Sequence, residues 1–508
     1  MAGFSFRSRA LKILPALSAP VILAACSVGP DYVRPTAPVP AKFKESKDWR
    51  PARPRDGADR GAWWTVYRDA ELNRLLPQVA VTNQNVAASL ASYEQARAVI
   101  RETQASLLPA INGQYPVTRS GEGSGVLSSG GSGTTSLGTN TSHAFARTLF
   151  YPQGTVGWTI DIWGKIGRQV EGNVALAQAD SALLANATLS AQAQLAIAYF
   201  NLRYQDSLKD LLNRTVKIYQ ETEKITRNQY NSGTVSKADL ITAQTQVLNT
   251  QAQAIATDVL RQQYEHAIAA LVGRPPSELT IRRGALARMP PATPPGLPST
   301  LLERRPDIAA AERAIAEQNA LVGVAVGAYY PTITLSAAGG FEGANAFPFL
   351  AAYQVWSLGA AAADPLFDGG LRAAQVDAAK AAWRQSVANY RQTVLTAFQQ
   401  VEDQLVALRV YAKELRVREK ARDAAAEAVR VYLNQYRAGT VAFTTVVVAE
   451  ATLLADEESV LATRQALFTA NVTLIEALGG GYDAESLAAE KAPPLIEAAA
   501  RSLPAPPP

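Results

Sequence analysis

A stretch of about 200 residues occurs twice in this chain, and a fold built from two long copies is one pseudo-symmetric body, because solenoid repeats are far shorter. At an offset of 222, Asn85-Val86-Ala87-Ala88-Ser89 aligns with Asp307-Ile308-Ala309-Ala310-Ala311, and Leu108-Pro109-Ala110-Ile111 with Tyr330-Pro331-Thr332-Ile333. At 206, Gln229-Tyr230-Asn231-Ser232-Gly233-Thr234-Val235 aligns with Gln435-Tyr436-Arg437-Ala438-Gly439-Thr440-Val441. Leu271-Val272-Gly273 answers Leu478-Gly479-Gly480 at 207. Residues 61–280 and 281–480 are the two repeats.

Residues 1–25 read as a signal peptide. Arg7, Arg9 and Lys12 precede a mostly apolar stretch, Ile13 to Ala25, that is too short to span a bilayer and contains Pro15 and Pro20. It ends Leu23-Ala24-Ala25-Cys26, and Cys26 is the only cysteine among 508 residues, so it has no intrachain disulfide partner. Small residues before a single Cys at this place read as a lipobox, which leaves Cys26 as a lipidated N-terminus. Ser27 rather than Asp follows, which makes outer-membrane sorting the default. The formal charge is +5, and removing the three positive charges of residues 1–25 leaves +2, so the basic balance is no nucleic-acid signal. No other stretch of 18 apolar residues exists, so any membrane crossing falls to strands that close into a barrel.

Residues 26–60 are rich in proline and charge and read as an extended tether; 481–508 read as a C-terminal segment with a disordered Pro-rich tail. Between Pro152 and Pro275, and again between Pro365 and Pro493, proline is absent and strong helix formers dominate. In the first stretch Leu208, Leu211, Thr215, Ile218, Thr222 and Ile225 alternate at spacings of three and four. Leu240, Ala243, Val247, Thr250, Ala254 and Thr257 do the same, with Tyr264, Ile268 and Leu271 resuming after a break at Arg261. That is a coiled-coil seam of small residues. It predicts long antiparallel helical hairpins over about 163–273 and 367–478. Each turns only at Tyr-x-x-Gly-Thr-Val, where Gly233 and Gly439 can take positive φ, and Ser236 can cap the returning helix.

Before each hairpin lies a candidate β-hairpin, about 111–160 and 332–362. Alternation is weak, as in barrel strands with a lipid side and a wet side. Four strands cannot close a membrane barrel, so closure needs several chains. The fold class is mainly α with a small β part, internally duplicated.

Five segments, in order along 26–480, carry a resemblance: Cys26-Ser27-Val28-Gly29-Pro30-Asp31-Tyr32; Trp63-Trp64 with Asp69 and Leu72; Gly157-Trp158-Thr159-Ile160-Asp161-Ile162-Trp163-Gly164-Lys165; the long ungapped Gly296-Leu297-Pro298-Ser299-Thr300-Leu301-Leu302-Glu303-Arg304-Arg305-Pro306-Asp307-Ile308; and Pro365-Leu366-Phe367-Asp368-Gly369-Gly370. They resemble the TolC-like outer-membrane factors, in the lipoprotein NodT-type branch of efflux outer-membrane proteins. The resemblance implies a homotrimer with one 12-stranded β-barrel in the outer membrane and a periplasmic α-barrel of twelve helical columns, quasi-sixfold to suit a ring of adaptor subunits. It implies a passive exit duct of a tripartite efflux system for drugs or other small molecules. The partners would be a periplasmic membrane-fusion adaptor, an inner-membrane RND-type pump and outer-membrane lipid. No cofactor is expected beyond covalent lipid on Cys26. The alternatives are a duct of a type I protein-secretion system and a periplasmic coiled-coil scaffold without a pore.

Relatives close their periplasmic tips with acids and Arg/Tyr contacts just past the turn, at positions matching 229–241 and 435–450. Here the first copy offers Lys237 and Asp239. The second offers Phe443 and Val448, the latter where some relatives carry an acid. The resulting expectation is a mixed gate, an Asp239 ring with an apolar constriction near Val448. The alternative makes Asp239 an early-helix acid favoured by the helix dipole. Arg437 is a tip contact or a solvated charge, and Trp63 and Trp64 anchor a belt around the tunnel or, the favoured reading, are core aromatics. No catalytic or metal constellation emerges. His143 and His266 stand far apart, the glycines of 121–133 lack a following Lys-Ser/Thr, and Asp456/Glu457 read as a solvated helix face.

Overall fold

The computed structural model describes residues 28–40, 42–45, 62–121, 146–293, 304–344 and 353–481. Cys26, His143, the middle of the first β-hairpin loop and the C-terminal tail lie outside these. Helices α1 (Ala70–Thr82) and α2 (Gln84–Ala105) come first, followed by strands β1 (Ala110–Gln114), β2 (Val117–Gly121), β3 (Ala146–Phe150) and β4 (Gln153–Ile160). Next are α3 (Lys165–Asn231), α4 (Lys237–Leu271), α5 (Pro306–Gly327), β5 (Thr332–Glu342), β6 (Tyr353–Ala363), α6 (Leu371–Arg437) and α7 (Phe443–Ala477). Helices α3 and α6 each have 67 residues and α4 and α7 each 35, and every end of the first hairpin maps to the second at 206. The offset of 207 at the hairpin ends therefore shortens to 206. Gly273 and Gly479, both at positive φ, are the equivalent residues.

The residues form two compact bodies. Among the described residues, one holds those up to 30 and those within 106–169 and 322–376; the other holds those within 31–105 and 170–321 and those from 377 on.

The first body is a sheet in the antiparallel order β1-β4-β5-β6, with β2 and β3 paired beside it. The first β-hairpin breaks into four pieces because Pro116 and Pro152 have no N–H to give the ladder. Its register runs through the break. Gln114 faces Gln153, the Tyr151 N–H donates to the Pro116 carbonyl at 3.0 Å, and Val117 faces Phe150. The pieces are thus the arms of one hairpin. At the foot of β4, Val28 N–H donates to the Trp163 carbonyl (3.2 Å), and Arg168 reaches the carbonyls of Val28 and Gly29. Gly29 has φ of +108°, and a Cβ there would lie 2.5 Å from the Gly323 Cα. No larger residue fits without displacing that backbone.

The second body is the two helical hairpins and what braces them. One core gathers Trp63, Trp64, the α1 leucines, Tyr199, Phe200, Phe468 and Val472. Another joins Phe43, Ile308 and Ile315 to α6 and α7. The described residues 31–40 and 42–45, within the segment read as a tether, are docked. Phe43 is fully buried against Phe398, Glu402 accepts the Lys44 and Glu45 N–H groups (2.6 and 3.0 Å), and Tyr32 bonds Glu312. Along α4 the buried residues are Ala243, Val247, Thr250, Ala254, Thr257, Arg261, Ile268 and Ala269; all but Arg261 and Ala269 lie on the seam read from spacing, whose Leu240, Tyr264 and Leu271 are half-buried. On α3 the seam drifts: Ile218 is exposed, and Val216 and Tyr219 are buried in its place. The break at Arg261 is a buried cation. It donates to Asp206 (2.8 Å), Glu265 (2.8 Å) and the Ile281 carbonyl (2.6 Å), which satisfies a charge that would otherwise be costly to bury.

Candidate functional site

The sheet has two chemically distinct faces, which follow from register and the alternation of side chains along each strand. Rows across one face read Ile160, Ile333, Ala362; then Trp158, Leu335, Ala360; then Ile111, Val156, Ala337, Leu358. Three aligned glycines, Gly113, Gly154 and Gly339, follow beside Trp356. Tyr115 and Phe150 continue this face with ring centroids 6.3 Å apart. Aliphatic residues thus fill this face, with Trp158 among them and Trp356, Tyr115 and Phe150 at one end, as on a lipid-facing barrel wall. The opposite face carries Asn112, Gln114, Gln153, Thr155, Thr159, Thr334, Ser336 and Ser357, with Tyr353, Val355 and small Ala and Gly residues among them. Trp356 and Leu358 on the apolar face are 77% and 76% exposed in the single chain. Strands β5 and β6 have 11 residues each. At about 3.3 Å per residue and a tilt of about 45°, such strands cross about 25 Å, the height of an apolar membrane band.

Among the described residues β1 and β6 each pair on one side only, so both edges of the sheet are open. Unpaired backbone groups in lipid cost several kcal/mol each, so both open edges would be costly in a membrane. No described helix is long and apolar enough to cross a membrane.

The two tips share one turn. Gly233 (φ 78°) and Gly439 (φ 73°) are left-handed, and Thr234 and Thr440 N–H groups donate to the carbonyls of Gln229 and Gln435, both at 2.9 Å. At the first tip Ser236 and Asp239 form a capping box: Asp239 N–H donates to Ser236 Oγ (3.2 Å), and Ser236 N–H to Asp239 Oδ2 (3.1 Å). The Asp239 carboxylate is thus held on its own helix N-terminus, and Lys237 is exposed beside it. At the second tip Phe443 is 3% exposed, packed on Tyr436 with Ala243 and Val446. Val448 is 65% exposed and lines an open groove with Ala425, Ala428, Tyr432 and Thr452, so it and Phe443 do not come together; Arg437 is exposed.

Sequence reasoning missed Glu450, one turn beyond Val446, which is 3% exposed and accepts from Thr222 Oγ1 (2.8 Å) and Gln246 Nε2 (3.5 Å). It also took Asp456/Glu457 for a solvated face. Glu457 is half-buried, and desolvation raises its pKa against the opposing pull of Arg214 and Arg422. His266 is exposed, and no described group of three His, Cys, Asp or Glu side chains gathers to hold a metal ion.

The family model of outer membrane efflux proteins matches residues 75–274 and 297–480, most of the chain. The chain belongs to the outer membrane efflux protein family. Its relatives in this family include the toluene efflux pump outer membrane protein TtgC of Pseudomonas putida, 28% identical over 465 residues, covering 91% of this chain and 94% of that protein. Nodulation protein T of Rhizobium leguminosarum bv. viciae is 28% identical over 491 residues, covering 96% and 97%. Among solved structures the outer-membrane channel OprN superposes with a TM-score of 0.81 at 27% identity, over 90% of this chain and 99% of that one. As a member of this efflux family the protein is an outer-membrane transport protein, mainly helical with a small strand part. The family is one of channels rather than enzymes.

Proposed function

We propose that this protein is the exit duct of a tripartite efflux pump, completed only when three copies meet. Twelve strands then form one barrel, with the Trp158/Leu335/Leu358 face toward lipid and the Thr/Ser/Gln face toward a water-filled lumen. The helical hairpins of three chains form a periplasmic tunnel. The observation that carries this reading is the sheet: apolar on one face, polar on the other, and open at β1 and β6. The two family matches support the duplication, since they begin 222 residues apart and end 206 apart, the offsets of the sequence repeat. Transport is passive. A periplasmic membrane-fusion adaptor and an inner-membrane RND-type pump supply drive and choice of cargo, and lipid on Cys26 anchors the chain two residues before the clamped Val28. Relatives of equal identity are named for toluene efflux and for nodulation, so cargo follows the pump rather than the duct.

The gate lies at the tips. Asp239 is committed to its cap, and the Phe443–Tyr436 contact holds the second tip inward. Lys237, Arg437 and Val448 are the exposed tip residues that face any lumen or adaptor. Purified protein in a planar bilayer should give discrete ion-conducting steps, with conductance rising when Phe443 is truncated to Ala. A lipidated oligomer that never conducts would replace the channel with a scaffold.

A further inference from the structure

We propose that Glu450 is a pH-sensitive clasp: protonated, it holds the two helical hairpins of one chain together near their tips, and ionised, it releases them. Glu450 projects from α7 of the second hairpin between Thr222 of α3 and Gln246 of α4, both in the first, and it is buried without any partner chain. Two neutral donors are its partners, and among the described residues no Lys or Arg pairs with it.

The groups around it on every element leave it uncompensated. On α3, Tyr219 is a neutral phenol pushed by burial up to about 12, and Glu223 pairs with Arg227 on the same helix. On α4, Gln246 carries no charge, and Asp239 is committed to its cap. On α6, Tyr436 meets Thr226 as a neutral hydroxyl pair. On its own helix, Glu457 and Glu458 lie two turns on and bear the same sign as Glu450. Desolvation therefore dominates and pushes the Glu450 carboxyl up to about 7, with the bonds from Thr222 and Gln246 pulling back.

With the hairpins apart, a solvated Glu450 titrates near 4.5. Below that pH both states are protonated and the contact has its full strength. From there up to about 7 the separated state gives up its proton first, and the contact weakens. Above 7 the closed state must bury a carboxylate, and the equilibrium toward separation is raised on the order of a hundredfold.

The test places spin labels on the exposed turn positions Ser232 and Ala438 of one chain, diluted among unlabelled chains in liposomes, and reads their distance from pH 5 to 8. We expect a single short distance at pH 5 and a longer population that grows through pH 7. Glu450→Gln should stay short throughout, and Gln246→Lys, which gives the carboxylate a cation, should also lose the response. An unchanged distance in the wild type, or a pH response that persists in Glu450→Gln, would overturn the clasp. The distance lies within one chain, so it reads the clasp whether or not the assembly conducts.

Discussion

At the first tip Ser236 and Asp239 bond each other's backbone and finish the helix start locally. At the second the same two positions are Ala442 and Thr445, and α7 begins with no side-chain cap. The flanking residues trade roles as well. Tyr230 and Lys237 are exposed at the first tip, whereas their counterparts Tyr436 and Phe443 are buried, with rings 5.4 Å apart, against Ile225 and Ala243 of the first hairpin. One tip is therefore held by a local hydrogen-bonded motif, and the other by contact with its neighbour. A tip of the first kind keeps its shape wherever it moves; one of the second kind changes when the hairpins part. The same division recurs in mid-hairpin. Arg261 with Asp206 and Glu265 occupies the first seam, where the second has Leu467, Ala412 and the buried Asn471.

The largest test of this difference is Arg261→Leu, which gives the first hairpin the residue of the second. It should cost about 3–5 kcal/mol in denaturant titration, because Glu265 loses its buried cation and Asp206 keeps only the Arg203 cation, 3.4 Å away. Adding Asp206→Ala and Glu265→Asn, the second hairpin's residues, should recover part of it. No loss from the single change would mean the network is ornamental.

Phe443→Ala should destabilise the second tip by about 3–5 kcal/mol, seen as faster amide exchange over the first turns of α7. Lys237→Ala at the equivalent place should stay within about 0.5 kcal/mol. Equal exchange at the two tips after these changes would dissolve the contrast.

Gly233→Ala and Gly439→Ala should each cost about 1–2 kcal/mol, alike at both tips, because the turn is the one part they share. Smallest is the cap. Ser236→Ala should cost about 1 kcal/mol, and Ala442→Ser should add stability by at most a similar amount. Both can be read as shifts in tip exchange at fixed pH.

Much of the helical part was legible because the seam is periodic. On α4 each buried residue from Ala243 to Thr257 followed from spacing, and Arg261 stood out as the interruption. Ile218 misled because α3 meets two partners, α4 and the second hairpin, and residues such as Thr222 and Thr226 turn toward the latter. The two faces of the sheet were hidden since Ala and Gly fill consecutive places, 337–340 in β5 and 359–363 in β6; only register brings Trp158, Leu335 and Leu358 onto one side. Phe443 was read as part of the gate from its place after the turn, and its burial depends on Tyr436 and Ala243, which no local pattern links to it. Glu450 reads as an ordinary helix-surface acid until Thr222, more than 200 residues earlier, is found beside it.

The central claim is that β1 of one copy pairs with β6 of the next. Within one open sheet these strands lie three spacings apart, about 14 Å, beyond the reach of a disulfide, which needs Cα atoms within about 7 Å. Single cysteines along β1, each combined with single cysteines along β6, should under oxidation in membranes give covalent dimers and a ladder that ends at three chains. Monomer alone at every pairing, or a ladder that runs past three, would contradict the account.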